Sequence, residues 1–222
     1  MRHIPHLLIP GPWEKAELEI SDLQQHHLLK VLRLTSGSPI SYTDGAGTVG
    51  SGAIEGPALL RGEEHFEAQP MPPVTLAVAP PKSIERARYV VEKLAELGVD
   101  RLVWMQARHG EGRPPREEKT QSWASGALEQ SRGAWLMAVD PLAPPRAPTD
   151  FSPLWVAVPG GPPPPRVVDG GMILIGPEAG LADEEVPSNA VPLGLGRRVL
   201  RVETAAVAAA TLILDRSGRL RP

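Results

Sequence analysis

The chain contains no cysteine. That excludes a disulfide framework, a thiolate metal site and any cysteine nucleophile or redox centre, and it makes a reducing compartment the expectation. No long apolar run is present either. The longest, around Ala205 to Leu214, falls far short of the roughly 20 residues that span a bilayer. Met1 to Trp13 is broken by Pro5, Pro10 and Pro12 and lacks the continuous apolar segment of an export signal, so a cytoplasmic location is expected. A basic excess is also missing, because 23 Lys and Arg face 26 Asp and Glu for a net charge of −3. Residues 1–70 are the more acidic part, with five basic against nine acidic side chains. Phosphate binding normally leaves a basic footprint, so any role on nucleic acid must rest on local clusters. Neither a dinucleotide fingerprint nor a P-loop occurs, and no internal repeat or metal-ligand set is visible.

What is present is globular composition: 41% hydrophobic and 22% charged residues in 222, enough for one large domain or two small ones. Gln69 to Pro73 (QPMPP) is the clearest linker, since prolines stop regular structure on both sides. It divides the chain into expected domains 1–70 and 74–222. Before it, short β-like runs at Pro39 to Tyr42, Thr48 to Ile54 and His65 to Ala68 are separated by turn signals such as Thr43-Asp44-Gly45, which suggests a small β-barrel. One helix interrupts them, with Ser21 as N-cap and Leu23, His26, His27 and Val31 at helical spacing.

After the linker, strands and helices alternate. Val74 to Ala79, Arg101 to Met105, Leu154 to Val158 and Met172 to Ile175 are short apolar strands. Helices are expected from Ser83 to Gly98, Pro115 to Arg132, Asp183 to Asn189 and Val202 to Leu214. Strands that are apolar throughout and alternate with helices indicate a parallel sheet covered on both faces, with the ligand at the carboxyl ends of the strands. The proline-dense stretches Pro141 to Pro153 and Pro159 to Pro165 are stiff surface connections, or, for the second, a ligand loop after a buried strand.

Two segments have the residue types for chemistry. Ile175-Gly176-Pro177-Glu178-Ala179-Gly180-Leu181 follows a buried strand, and its glycines let the backbone pass close to a ligand with Glu178 at the mouth. Leu195-Gly196-Arg197-Arg198-Val199-Leu200-Arg201-Val202-Glu203-Thr204-Ala205 carries three arginines into a helix start, which suits an anionic partner.

Read together, GPEAG and LGRRVLRVETA resemble the C-terminal signature of the RsmE-type 16S rRNA uracil-N3 methyltransferases, a branch of the SPOUT superfamily. The resemblance continues through Lys82 to Val99 (KSIERARYVVEKLAELGV), Ala127 to Arg132 (ALEQSR) and His26 to Arg33 (HHLLKVLR) with Asp44-Gly45, in the right order over nearly the whole chain. Three departures stand out. Ala179-Gly180 replaces a glycine pair, Arg132-Gly133 reverses the usual Gly-Arg order, and the stretch from Met105 to Ala127 is short.

The resemblance implies an α/β fold: a SPOUT-type C-terminal domain with a deep trefoil knot and a parallel sheet, plus a small N-terminal PUA-like β-barrel. It implies S-adenosyl-L-methionine as cofactor, 16S rRNA or the small ribosomal subunit as partner, and a homodimer. Carried onto this chain, the cofactor residues are Ile175, Gly176, Pro177, Gly180, Leu195, Gly196, Arg198, Leu200 and Thr204. Arg201 is the candidate for stabilising charge on the uracil, and Glu178 or Glu203 for accepting the N3 proton; Glu203 alternatively complements the N-terminus of the last helix. RNA contacts fall to His26, His27, Lys30, Arg33, Lys82, Gln130 and Arg132. The alternatives are a SPOUT enzyme acting on another RNA site and a non-catalytic RNA-binding relative.

Overall fold

Strand-forming and helix-forming segments group into two units in the computed structural model, which describes residues 4–144, 153–166 and 169–220. The first unit comprises residues 1–69 with 128–136, and the second comprises 70–127 with 137–222.

In the first unit, β1 (His6–Leu8), β2 (Glu17–Glu19), β3 (Pro39–Thr43), β4 (Thr48–Glu55) and β5 (Ala58–Phe66) form one sheet in the order β1-β3-β4-β5-β2. All pairs are antiparallel except β1 with β3. The β5 strand starts earlier than the sequence suggested, because the chain turns at Gly56 in a left-handed conformation and Leu59 reaches the core. Leu7, Leu18, Ile40, Tyr42, Ile54 and Leu59 fill that core, and in β2 Leu18 sits between exposed Glu17 and Glu19, the alternation of a sheet covered on one face. Ser21 and Gln24 form a reciprocal capping box on α1 (Asp22–Gln25), and the chain then widens into a π-helical turn over His26–Val31. A single continuous helix is therefore not what His26 to Val31 builds.

Two polar networks fasten this unit. The Arg61 guanidinium forks onto Glu64 at 2.7 Å and holds its carboxyl below the usual range, while the Tyr42 hydroxyl donates to Glu64 at 2.7 Å. Burial and that carboxylate push the Tyr42 hydroxyl up to about 12. His6 is also buried, beside Ser41 Oγ at 2.8 Å and the Gly133 carbonyl at 3.3 Å, and burial holds its imidazole below the ordinary 6.5. Below about pH 6.5 the unfolded chain takes up a proton that the folded unit refuses, so stability that is full above this pH declines as the pH falls. Urea midpoints measured between pH 7.5 and 5 should show that decline, and His6→Gln should flatten it.

The second unit is a six-stranded parallel sheet in the order β11-β9-β10-β6-β7-β8. Its elements are β6 (Val74–Val78), α2 (Ile84–Glu96), β7 (Arg101–Met105), α3 (Glu117–Ser131), β8 (Ala138–Ala143), β9 (Leu154–Ala157), β10 (Gly171–Ile175), β11 (Val191–Leu193) and α4 (Val202–Arg216). The segment expected to be helical from Asp183 to Asn189 narrows to one 3-10 turn, Asp183–Glu185. All five β6 residues are buried, the signature of a central strand covered on both faces. Ala77, Val103, Met105, Leu154, Val156, Met172 and Leu174 form one apolar layer, and α4 packs against α2, β6 and β10. Ala206, Ala209 and Ala210 are fully buried within the chain itself. Of the two proline-dense stretches, residues 145–152 of the first lie outside the described residues.

Candidate active site

Strands β9, β10 and β11 are neighbours, and the segments that leave their carboxyl ends converge. The segment after β9 (158–161), the 175–181 loop and the 194–200 loop enclose a pocket of about 210 Å³. Its walls are Val156, Ala157, Val158 and Pro159 on one side, Ile175 to Leu181 without Ala179 on another, and Leu195, Gly196 and Arg198 to Leu200 on the third, with Val186 and Ala205 behind. This is where an open α/β sheet binds its ligand. The backbone crossing is tight: Gly194 N–H donates to the Pro162 carbonyl at 2.7 Å, and Gly160 N–H to the Gly196 carbonyl at 3.2 Å. A Cβ on Gly194 would collide with the Gly161 carbonyl oxygen, so no other residue lets the two segments pass. From β11 at the sheet edge the chain returns past that crossing to α4 on β6 and β10.

Of the expected cofactor residues, Ile175, Gly176, Pro177, Gly180, Leu195, Gly196, Arg198 and Leu200 all line this pocket. Thr204 does not. It is exposed in the first turn of α4, and Ala205, one residue on, supplies the wall instead. The glycine-to-alanine departure at 179 has a simple resolution, because the left-handed conformation of the loop sits on Gly180 at φ 79° and Ala179 is not among the positive-φ residues. Sequence inspection missed Val186 and Ala205, whose roles depend on which apolar residues the crossing brings inward. A period or motif carries no such signal.

The three candidates for chemistry separate. Glu178 lines the pocket mouth and is exposed. Leu200 lines the pocket and Val202 is buried. Arg201 itself lies outside the pocket wall, exposed as the extended N-cap of α4 (φ −68°, ψ 156°). Glu203 is also outside the wall. It sits in the first turn of α4, 3.5 Å from the Arg86 guanidinium, with Oε2 buried and lacking a hydrogen-bond partner among the described residues. A carboxylate there complements the helix N-terminus.

The family model for an RNA methyltransferase domain matches residues 67–148 and 167–214. The chain belongs to this family. No curated protein matches the sequence significantly. Among solved structures, this RNA methyltransferase is similar to a probable rRNA-methyltransferase from Porphyromonas gingivalis, at 27% identity and TM-score 0.80 over 98% of this chain and 100% of that one. It is also similar to a methyltransferase from Legionella pneumophila in complex with bound SAM (21% identity, TM-score 0.83, 96% and 98% covered). A third is the ribosomal RNA small subunit methyltransferase E of Neisseria gonorrhoeae bound to S-adenosyl methionine (22% identity, TM-score 0.80, 96% and 98% covered). The fold expected from the sequence, a small barrel unit with a SPOUT-type parallel-sheet unit, is the fold they share.

The expected RNA contacts of the methyltransferase are distributed over both units. His26, His27, Lys30 and Arg33 are exposed together on and just after the π-helical turn, and Arg33 is left-handed at φ 54°. Gln130 and Arg132 are exposed on the 128–136 segment, which belongs to the same unit. That segment is pinned by Glu129 accepting from Leu8 N–H at 2.9 Å and by Gly47 N–H donating to the Ala134 carbonyl at 3.0 Å. Lys82 is exposed in the second unit and paired with Glu111 at 2.5 Å.

The reversed Arg132-Gly133 order has a conformational cost. Gly133 N–H returns to the Leu128 carbonyl at 3.1 Å, a helix-ending motif that puts position 132 in the left-handed region, and Arg132 adopts φ 59° there. An L-residue in that conformation costs about 1–2 kcal/mol. The guanidinium donates to the Ile4 carbonyl at 2.6 Å on the surface and recovers part of this. Arg132→Gly should therefore raise stability by about 1 kcal/mol in chemical denaturation.

Proposed function

We propose that this RNA methyltransferase transfers a methyl group from S-adenosylmethionine to N3 of a uridine in small-subunit ribosomal RNA, acting as a homodimer. The observation that carries this reading is the convergence of GPEAG and LGRRVL, the two segments of the family resemblance, on one pocket at the carboxyl ends of β9, β10 and β11.

The residues fit the cofactor. Apolar side chains from Val156, Ile175, Leu181 and Val199 suit the faces of an adenine, and the glycine-containing backbone at 176–180 and 194–196 leaves room for close polar contact. Arg198 at the rim offers a positive charge to the carboxylate of its amino-acid end. When bound, S-adenosylmethionine supplies an electrophilic methyl on a sulfonium. The chain's own part is to orient the acceptor, exclude water and manage one proton. N3 of uracil lies on the pairing edge, so the base must leave its stack or be presented from a distorted helix. Holding it in line supplies much of the rate. Glu178, at the mouth, accepts the N3 proton directly or through water, and the exposed Arg201 guanidinium beside Leu200 stabilises charge developing on the uracil oxygens.

Deleting the gene and mapping modified nucleosides of the small-subunit RNA by mass spectrometry tests the substrate. The reading requires one 3-methyluridine to vanish and to return on complementation; loss of a ribose methyl or of another base modification would reassign the enzyme.

A further inference from the structure

The pocket over β9, β10 and β11 occupies only half of the sheet's carboxyl edge. Over the other half, beyond the hydrogen-bonded pair β10 and β6, lies a second concavity of about 780 Å³, within the range of roughly 300–1,000 Å³ usual for ligand sites. Pro80 after β6, the 106–114 loop after β7, and Leu142 and Pro144 at the end of β8 form its walls, with Glu185 between the two hollows.

The 106–114 loop is firmly built. Gln106 N–H donates to the Ala143 carbonyl at 2.7 Å, Gly110 N–H to the Ala107 carbonyl at 2.9 Å, and Arg108 N–H to Glu185 Oε1 at 2.6 Å. Gly112 packs so closely that an added Cβ would collide with the Pro80 carbonyl oxygen. The Arg108 guanidinium pairs with Glu184, and Lys82 with Glu111. Glu184 and Glu185 belong to the turn that continues from the 175–181 loop, so both hollows share one support.

These pairings leave one cation over. Arg113 lines the concavity, is exposed, and has no carboxylate partner among the described residues; the Gln106 amide is likewise without one. We propose that this concavity is the nucleotide subsite for the RNA substrate, where Arg113 holds a phosphodiester of the nucleotide presented to the methyl-donor pocket and Gln106 lies against its base. The proposal rests on the methyltransferase reading above. A guanidinium fork matches a phosphate's geometry. The pocket over β9, β10 and β11 is lined mostly by apolar groups and backbone, whereas the neighbouring hollow presents Gln106, Arg108, Glu111 and Arg113 to a polar, anionic ligand.

The test compares wild type, Arg113→Ala, Arg113→Lys and, as a control, Arg88→Ala, an exposed arginine paired with Glu92 on α2. Each is assayed with S-adenosylmethionine and small-subunit ribosomal RNA or 30S particles. Arg113→Ala should raise the KM for RNA about tenfold and lower the salt slope of RNA binding by about one. Cofactor affinity by calorimetry should stay unchanged, with Arg113→Lys intermediate and Arg88→Ala at wild-type values. An unchanged RNA KM and salt slope in Arg113→Ala would overturn the subsite, and so would a loss of cofactor affinity, which would place Arg113 at the donor pocket. A wild-type protein that methylates no RNA is a different result: it removes the methyltransferase reading, and the subsite with it.

Discussion

Gly176→Val should abolish the stabilisation of this protein by S-adenosylmethionine. A ligand that binds only the folded state at a hundredfold excess over its Kd stabilises by about 2.7 kcal/mol, which in a chain of this size raises Tm by roughly 5–11 °C. At Gly176 even a single added Cβ meets Leu181 Cγ at 3.1 Å and Leu181 N at 3.3 Å. Valine's two further methyls must then displace the 180–181 backbone or fill a pocket of only about 210 Å³. Differential scanning fluorimetry with and without cofactor reads the effect. Gly126→Ala, where an added Cβ has no neighbour within 4 Å, should keep the whole shift. A full shift in Gly176→Val would place the cofactor elsewhere.

Glu178→Gln should cost turnover and little else. A positioned general base contributes roughly a hundred- to ten-thousandfold to rate, and glutamine keeps the shape while losing the ability to take a proton. Single-turnover methylation should fall within that range, with cofactor affinity close to wild type. If Glu178 instead holds the ammonium of the cofactor, affinity and rate fall together. Arg201→Ala in the same assay should lose roughly a hundred- to thousandfold, as expected for one donor to a developing oxyanion, and Arg201→Lys should lose less. Activity within a few fold of wild type in either alanine or glutamine variant would remove that residue from the chemistry.

The parts of this molecule legible in the sequence are those whose physics is local. Apolar runs such as Val74 to Val78 and Gly171 to Ile175 can only be strands buried on both faces, and the glycine-bearing turns behind them mark where a ligand can approach the backbone. The edge strands were not legible. In β8 the segment includes Asp140 and Pro141, and in β11 three residues include Pro192, so neither shows an apolar period and both are tolerated only at a sheet margin. Long-range docking was equally hidden. Residues 128–136 join the first unit through hydrogen bonds to Leu8, Gly47 and Gly45, contacts more than 80 residues apart in sequence. At the site, the sequence marks Leu200 as a cofactor residue but cannot place Arg201, because a cap residue takes its direction from the start of α4. In the loop after β7 the sequence shows only a short connection between Met105 and Ala127; that Gln106 and Arg113 line a concavity follows from the place of β7 in the sheet and not from any spacing.

The most direct measurement is reconstitution: purified protein, S-adenosylmethionine carrying a labelled methyl, and small-subunit particles or ribosomal RNA lacking the modification, followed by nucleoside mass spectrometry. The account predicts that the label appears in 3-methyluridine at a single position and that Gly176→Val transfers none. Label in another nucleoside, or no transfer to RNA by a protein that binds the cofactor, would contradict it.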